Sequence, residues 1–149
     1  MKRYTHIIRT MYDTVWFMTP ESLQVMTEIM EMRLDGIKLS DAEIEERIRL
    51  VTGGTSRPDT GVQANNGVGV INLHGTIMPK ADLMSKLSGG ASLDTFKQGF
   101  MKLANNDLVQ TIIMNIDSPG GSGTGLIDAG KMIADVGKNK QVIACVDSM

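Results

Sequence analysis

Residues 116–125 read Ile-Asp-Ser-Pro-Gly-Gly-Ser-Gly-Thr-Gly, a run of small residues that follows directly on an aliphatic segment. The segment before it, Thr111 to Ile116, is rich in β-branched residues and predicts a strand buried on both faces. Leu126, Ile127, Ile133 and Val136 behind it mark a helix. A strand–loop–helix junction of this kind aims backbone N–H groups and the positive end of a helix dipole into a crevice. Negative charge binds there, including the oxyanion of a tetrahedral intermediate. Glycines matter in such a loop because a side chain would block the approach to its amides and because they allow positive φ. Pro119 stiffens the entry and brings no competing donor.

Two nucleotide-binding alternatives fail on spacing. Gly125 to Lys131 has the glycine and lysine positions of a phosphate loop, but Met132 stands where Ser or Thr must hold magnesium, and the run falls inside the predicted helix. A dinucleotide fingerprint starting at Gly121 and Gly123 needs a third glycine where Leu126 stands. A glycine-rich turn without chemistry remains open on these residues alone.

The elements that must position the loop follow from periodicity. Val68 to Leu73 reads as a strand, with His74-Gly75-Thr76 turning away from it. Residues 80–91 form a loop or partly helical excursion. Ser92 caps a helix with Leu93, Phe96, Phe100 and Leu103 on its inner face. After the central strand, the glycine loop and the second helix comes a strand from Gln141 to Val146. Strand, helix, strand, helix, strand predicts a mainly parallel sheet with right-handed crossovers, hence an α/β fold. Residues 53–66 have the composition of a linker, with residues 1–52 before it and a second domain from 67 to 149. In the first part, residues 1–18 are ambiguous between a short strand and an ordered arm. Thr19-Pro20-Glu21 starts a helix with Leu23, Met26, Met30 and Leu34 on its apolar face, and Gly36 stops it. Ser40 to Glu43 is a capping box that starts a second helix, so the two should pack as a hairpin.

Composition narrows the function classes. A formal net charge of −2 with no Lys/Arg cluster argues against nucleic acid as a partner. No run approaches the ~20 apolar residues of a membrane span, and Arg9 and Asp13 interrupt any signal-peptide core, which favours a cytoplasmic setting. The single Cys145 sits in an apolar run and reads as a buried small hydrophobe. Nothing points to a metal or an organic cofactor. No internal repeat or low-complexity tract is evident.

Ser-Pro-Gly-Gly after an aliphatic strand resembles the oxyanion loop of the Clp protease/crotonase-like fold, and Ile116-Asp117-Ser118-Pro119-Gly120-Gly121 in particular resembles the protease IV (signal peptide peptidase A) family of Ser/Lys peptidases. Val68 to Gly75, Phe96 to Val109 and Val142 to Met149 resemble that family's opening strand, its first helix with the Asn-Asp segment, and the strand leading to the nucleophile turn. Trp16 to Leu23 is similar, less specifically, to the leader of phage and prophage head proteases. The resemblance covers about residues 67–149. It implies acyl transfer, with Gly120 and Gly121 as the oxyanion hole and Ser122 and Gly123 along the substrate. The partners that the resemblance implies are a peptide or protein substrate, such as a capsid or scaffold protein, and further copies of the chain.

The family's nucleophilic Ser lies a few residues beyond the Asp147-Ser148-Met149 position, in an Ala-Ala-Ser-type turn, and its general-base Lys later still. Residues 1–149 are therefore expected to be an inactive N-terminal portion. Ser148 precedes that turn and does not match the nucleophile. None of Lys80, Lys86, Lys97, Lys102, Lys131, Lys138 and Lys140 matches a Ser/Lys dyad, and His74 reads as a loop or packing residue. Two other classes compete: a non-catalytic capsid scaffold or assembly protein that keeps the fold, and an acyl-CoA enzyme of the crotonase type. The latter lacks a candidate Glu after the loop.

Overall fold

The computed structural model describes residues 5–52, 61–80 and 90–148. Its N-terminal residues, ambiguous in the sequence, form helix α1 (Thr5–Asp13) and a short strand β1 (Trp16–Met18). Thr19 then holds an extended conformation and accepts a hydrogen bond on Oγ1 from the Ser22 N–H at 3.4 Å, which starts helix α2 (Pro20–Leu34). The capping box forms as predicted at the head of α3 (Asp41–Thr52). The Ser40 N–H donates to Glu43 Oε2 at 2.7 Å, and the Glu43 N–H donates to Ser40 Oγ at 3.3 Å. Met26, Ile29 and Met30 of α2 and Ile44 of α3 are buried together, so the helices pack as the expected hairpin. Leu34, expected on the inner face, is exposed because α2 ends there and the chain turns away through Asp35 and Gly36.

Hydrogen bonds from the Ser40 side chain and backbone hold the Glu43 carboxyl below the ordinary carboxylate range. A depressed folded-state pKa contributes stability above the unfolded value, and that contribution is lost as pH falls through the folded value. Acidification below the ordinary Glu range is therefore expected to fray the first turn of α3 before the sheet melts. Amide exchange at Ala42 to Ile44 as a function of pH checks this, with Glu43→Gln expected to flatten the response.

Among the described residues, two four-stranded sheets follow. The first has the order β2-β3-β6-β8, built from β2 (Val62–Asn65), β3 (Val68–His74), β6 (Thr111–Asp117) and β8 (Gln141–Ser148). Strands β3, β6 and β8 are parallel and in continuous register from Val68↔Thr111 to His74↔Asp117 between β3 and β6. Strand β2 is antiparallel to β3 through a two-residue turn at Asn66 (φ 49°) and Gly67 (φ 80°), the positive-φ pair that a tight hairpin needs. Residues 62–65, read from composition as linker, are thus a strand; residues 53–60 lie outside the described residues, as do residues 81–89 of the expected excursion. The second sheet has the order β1-β7-β4-β5, with β4 (Ile77–Met78), β5 (Ala91–Ser92) and β7 (Gly120–Ser122). The molecule is a mixed α/β structure with mixed sheets.

Helix α4 (Leu93–Ala104) is capped by Ser92 as predicted and places Phe96, Phe100 and Leu103 on Ile71, Leu73, Ile112 and Met114. The rings of Phe96 and Phe100 stack at 6.0 Å. Helix α5 (Leu126–Val136) adds Ala129 to the same cluster. Since α4 and α5 share one face of the first sheet, β6 alternates: Ile112 and Met114 are buried, whereas Thr111, Ile113 and Asn115 are half-buried. The expected burial on both faces is corrected by that placement. Cys145 is corrected likewise. It is exposed, because β8 is the marginal strand of the sheet and pairs, among the described residues, with β6 alone.

Lys140, just before β8, donates from Nζ to the carbonyls of Asn106 at 2.7 Å and Leu103 at 3.4 Å, placing a cation at the negative end of α4. Lys140→Met is expected to cost about 1 kcal/mol of stability. Chemical denaturation with an unchanged m-value checks it.

Candidate functional site

The loop singled out in the sequence begins where β3 and β6 end together. The Gly75 N–H donates to the Asp117 carbonyl at 2.8 Å, and Ser118 Oγ donates to the Gly75 carbonyl at 2.8 Å, so the turn after β3 is clipped to the loop after β6. Ser118 is buried, and its Oγ also accepts the Gly120 N–H at 3.2 Å. This bracing role was not assigned from the sequence. Its signal is a hydroxyl two residues ahead of the amide it captures, the ordinary geometry of a Ser turn.

Beyond Pro119 the chain becomes a strand instead of a loop. Gly120, Gly121 and Ser122 (β7) lie between β4 and β1: Gly121 is opposite Ile77 in parallel register and opposite Phe17 in antiparallel register. The Gly123 N–H donates to the Val15 carbonyl at 2.9 Å and the Thr19 N–H to the Pro119 carbonyl at 3.1 Å. Bonded pairs alternate along an antiparallel ladder, so Phe17 and Gly121 form the bonded pair between those two.

The glycines are required by close approach. A Cβ on Gly120 would stand 2.0 Å from the Phe17 carbonyl oxygen, and on Gly121 2.1 Å from that of Ile77. Gly120 also has φ +106°, where an L side chain is strained.

The sequence expected Gly120 and Gly121 to offer free amides to an open cleft. In this arrangement the Gly120 N–H is held by Ser118 Oγ and the Gly121 N–H points to β1. Ser122 and Gly123, expected to be substrate-lining, are extended or nearly so, and the chain's own N-terminal strand lies where the substrate was expected. Ser122 is buried, and its Oγ accepts the Thr124 N–H at 3.2 Å. An open groove does adjoin the loop. It has a volume of about 510 Å³, and its lining includes Met18, Ile77, Ile116, Gly120 and Val146. Ile116 and Val146 stand near the carboxyl ends of parallel strands β6 and β8, the end at which α/β sheets bind ligands.

His74 ends β3 with Nε2 3.2 Å from Asn115 Nδ2, a packing position within the sheet face. Lys138 pairs with Asp135 at 2.6 Å and Lys140 caps α4. Lys86 lies outside the described residues. Ser148 closes β8, with its backbone opposite Asp117.

The chain is similar to a phage head protein. Over 96 residues, 64% of this chain, it is 29% identical to the head-tail preconnector protein GP5 of Enterobacteria phage P21. The chain spans 19% of the length of that relative. No protein-family model matches the chain. Among the described residues, no helix is long and apolar enough to cross a membrane.

Proposed function

We propose that the chain is part of a serine endopeptidase of phage head maturation, with a Clp protease/crotonase-like fold of the protease IV type. The observation that carries this reading is the groove at the carboxyl ends of β6 and β8, with Ser118, Pro119 and Gly120 on its wall. The similarity to a phage head-tail preconnector protein fits a role in the phage head.

In the proposed reaction a Ser, activated by a neutral Lys, attacks the scissile carbonyl, and amides of the glycine pair receive the developing negative charge. Neither the nucleophile nor the base matches a residue in 1–149. For the oxyanion to settle, the Gly120 N–H must exchange Ser118 Oγ for the substrate oxygen and the Gly121 N–H must be released from β1. Ser118 thus holds the donor in reserve and, through Gly75, fixes its position. The preorganised donor is the part that accelerates: losing one typically costs about 10²–10³ in rate.

The test compares residues 1–149 with the parent protein on a capsid-protein substrate. Hydrolysis by the parent protein and none by the 149-residue chain is expected. Hydrolysis by the short chain alone would refute the assignment of nucleophile and base to other residues, and an inert parent protein would refute the peptidase reading.

A second reading, a non-catalytic capsid assembly protein that retains the fold, is favoured by one observation. Both loop amides are engaged within the chain, as a purely structural turn requires. It predicts that the parent protein assembles into heads yet cleaves nothing.

A further inference from the structure

An extended peptide reaching β7 finds both edges taken. Strand β4 occupies one and β1 the other, with the bonds at Val15 and Thr19 closing the ends of the β1 ladder. The two neighbours are held differently. Met78 of β4 is buried, and β4 pairs with β5 as well as β7. Strand β1 is three residues long and marginal in its sheet, the kind of element that opens at low free-energy cost. Its central side chain, Phe17, is 65% exposed. Trp16 and Met18 point the other way and are partly buried against the Met26–Met30 cluster. The Trp16 Nε1–H donates to the Met11 carbonyl at 2.9 Å, which ties β1 to α1 as one arm. The slot itself is made by absent side chains: the β1 backbone fills the space a Cβ would take at Gly120, and the Phe17 ring fills it at Gly123.

We infer that Val15–Thr19 is a displaceable strand resident on the peptide-accepting edge of β7, and that this edge takes an extended peptide with large apolar residues at alternate positions, as at Trp16 and Met18. While β1 is seated, the Gly121 N–H and the edge are closed together; its departure opens both. The inference deepens the peptidase reading, on which it rests for the fate of the bound peptide.

A fluorescent peptide with the sequence of residues 14–20 is titrated into the 149-residue chain and into its Phe17→Pro variant. Proline removes the N–H that pairs with Gly121 and leaves the partly buried neighbours Trp16 and Met18 in place. The variant is expected to bind the peptide about tenfold more tightly than the unaltered chain, as it would if the open form were populated at about a tenth before the change. Equal affinity, or no binding to either, overturns the inference.

A second measurement does not depend on the folding of the variant. In the unaltered chain, the amides of Gly121 and Gly123 are expected to exchange with solvent about a hundredfold faster than those of Ile113 and Met114 in β6. Equal protection shows a strand that never leaves and overturns the inference. The peptidase reading fails separately: a parent protein that binds the peptide but cuts nothing refutes that reading and leaves the strand exchange intact.

Discussion

Gly121→Ala is expected to lower the melting temperature by roughly 10 °C, a loss of about 3 kcal/mol for a chain of this size. The new methyl would lie 2.1 Å from the Ile77 carbonyl oxygen and 2.5 Å from its nitrogen, and both are backbone atoms. Rotamer changes cannot relieve a backbone clash. Strand β4 would have to move, and its Met78 belongs to the cluster that joins α2 and α3. Gly120→Ala should behave differently although its clash is as severe, 2.0 Å from the Phe17 carbonyl oxygen. There the obstructed neighbour is β1, which can leave. The expected result is rapid amide exchange at residues 15–19 with an otherwise protected sheet, the remaining loss of stability coming from the strain of an L side chain at φ +106°. If the two variants show the same exchange pattern, the distinction between a fixed β4 and a movable β1 is wrong. Under the proposed peptidase reading, both variants are also expected to lose about 10²-fold or more in kcat, because the added methyl shifts the amides that would receive the oxyanion.

Phe100→Ala is expected to cost about 4 kcal/mol, lowering the melting temperature by roughly 15 °C. Phe100 is fully buried, stacks on Phe96, and belongs to the cluster that includes Ile71 and Ile112 of the two central strands. Removing the ring leaves a cavity between α4 and the sheet that neighbouring glycines cannot fill. Gly69 and Gly99 are there because the space is already full: a Cβ on Gly69 would meet Leu103, and on Gly99 it would meet Ile71 and Val62. Phe100→Leu should recover more than half of the loss, because it restores apolar volume without the stacked ring. Thermal unfolding followed by circular dichroism checks both. A loss below about 1.5 kcal/mol for Phe100→Ala would show that this cluster is not the principal core.

The helix starts were legible because their physics is local. Thr19, Ser40 and Ser92 each sit within three residues of the backbone group they satisfy, so residue type and spacing suffice. The same holds for the parallel order of β3, β6 and β8, where apolar periodicity and alternation with helices leave few topologies. The hairpin at Asn66-Gly67 was also written in the residues, but the polar composition around it reads equally as a linker. Burial was legible only in part. Composition shows that Thr111 to Ile116 is apolar, yet which side is covered depends on where α4 and α5 come to rest. Cys145 is exposed for the same reason: the position of its strand in the sheet, not the character of its neighbours, sets its contact with solvent.

The candidate site divides along the same line. The sequence by itself determined that a glycine-rich segment follows an apolar strand and precedes a helix. Only the tertiary structure decided that Gly120–Ser122 is a strand, since glycine has little preference for one and the conformation is imposed by neighbours on both sides. It alone brought Trp16–Met18 onto that strand. A pairing between distant segments is made by backbone groups that every residue carries, so no residue type announces it, and the absent side chains that permit it are visible only once the two backbones meet.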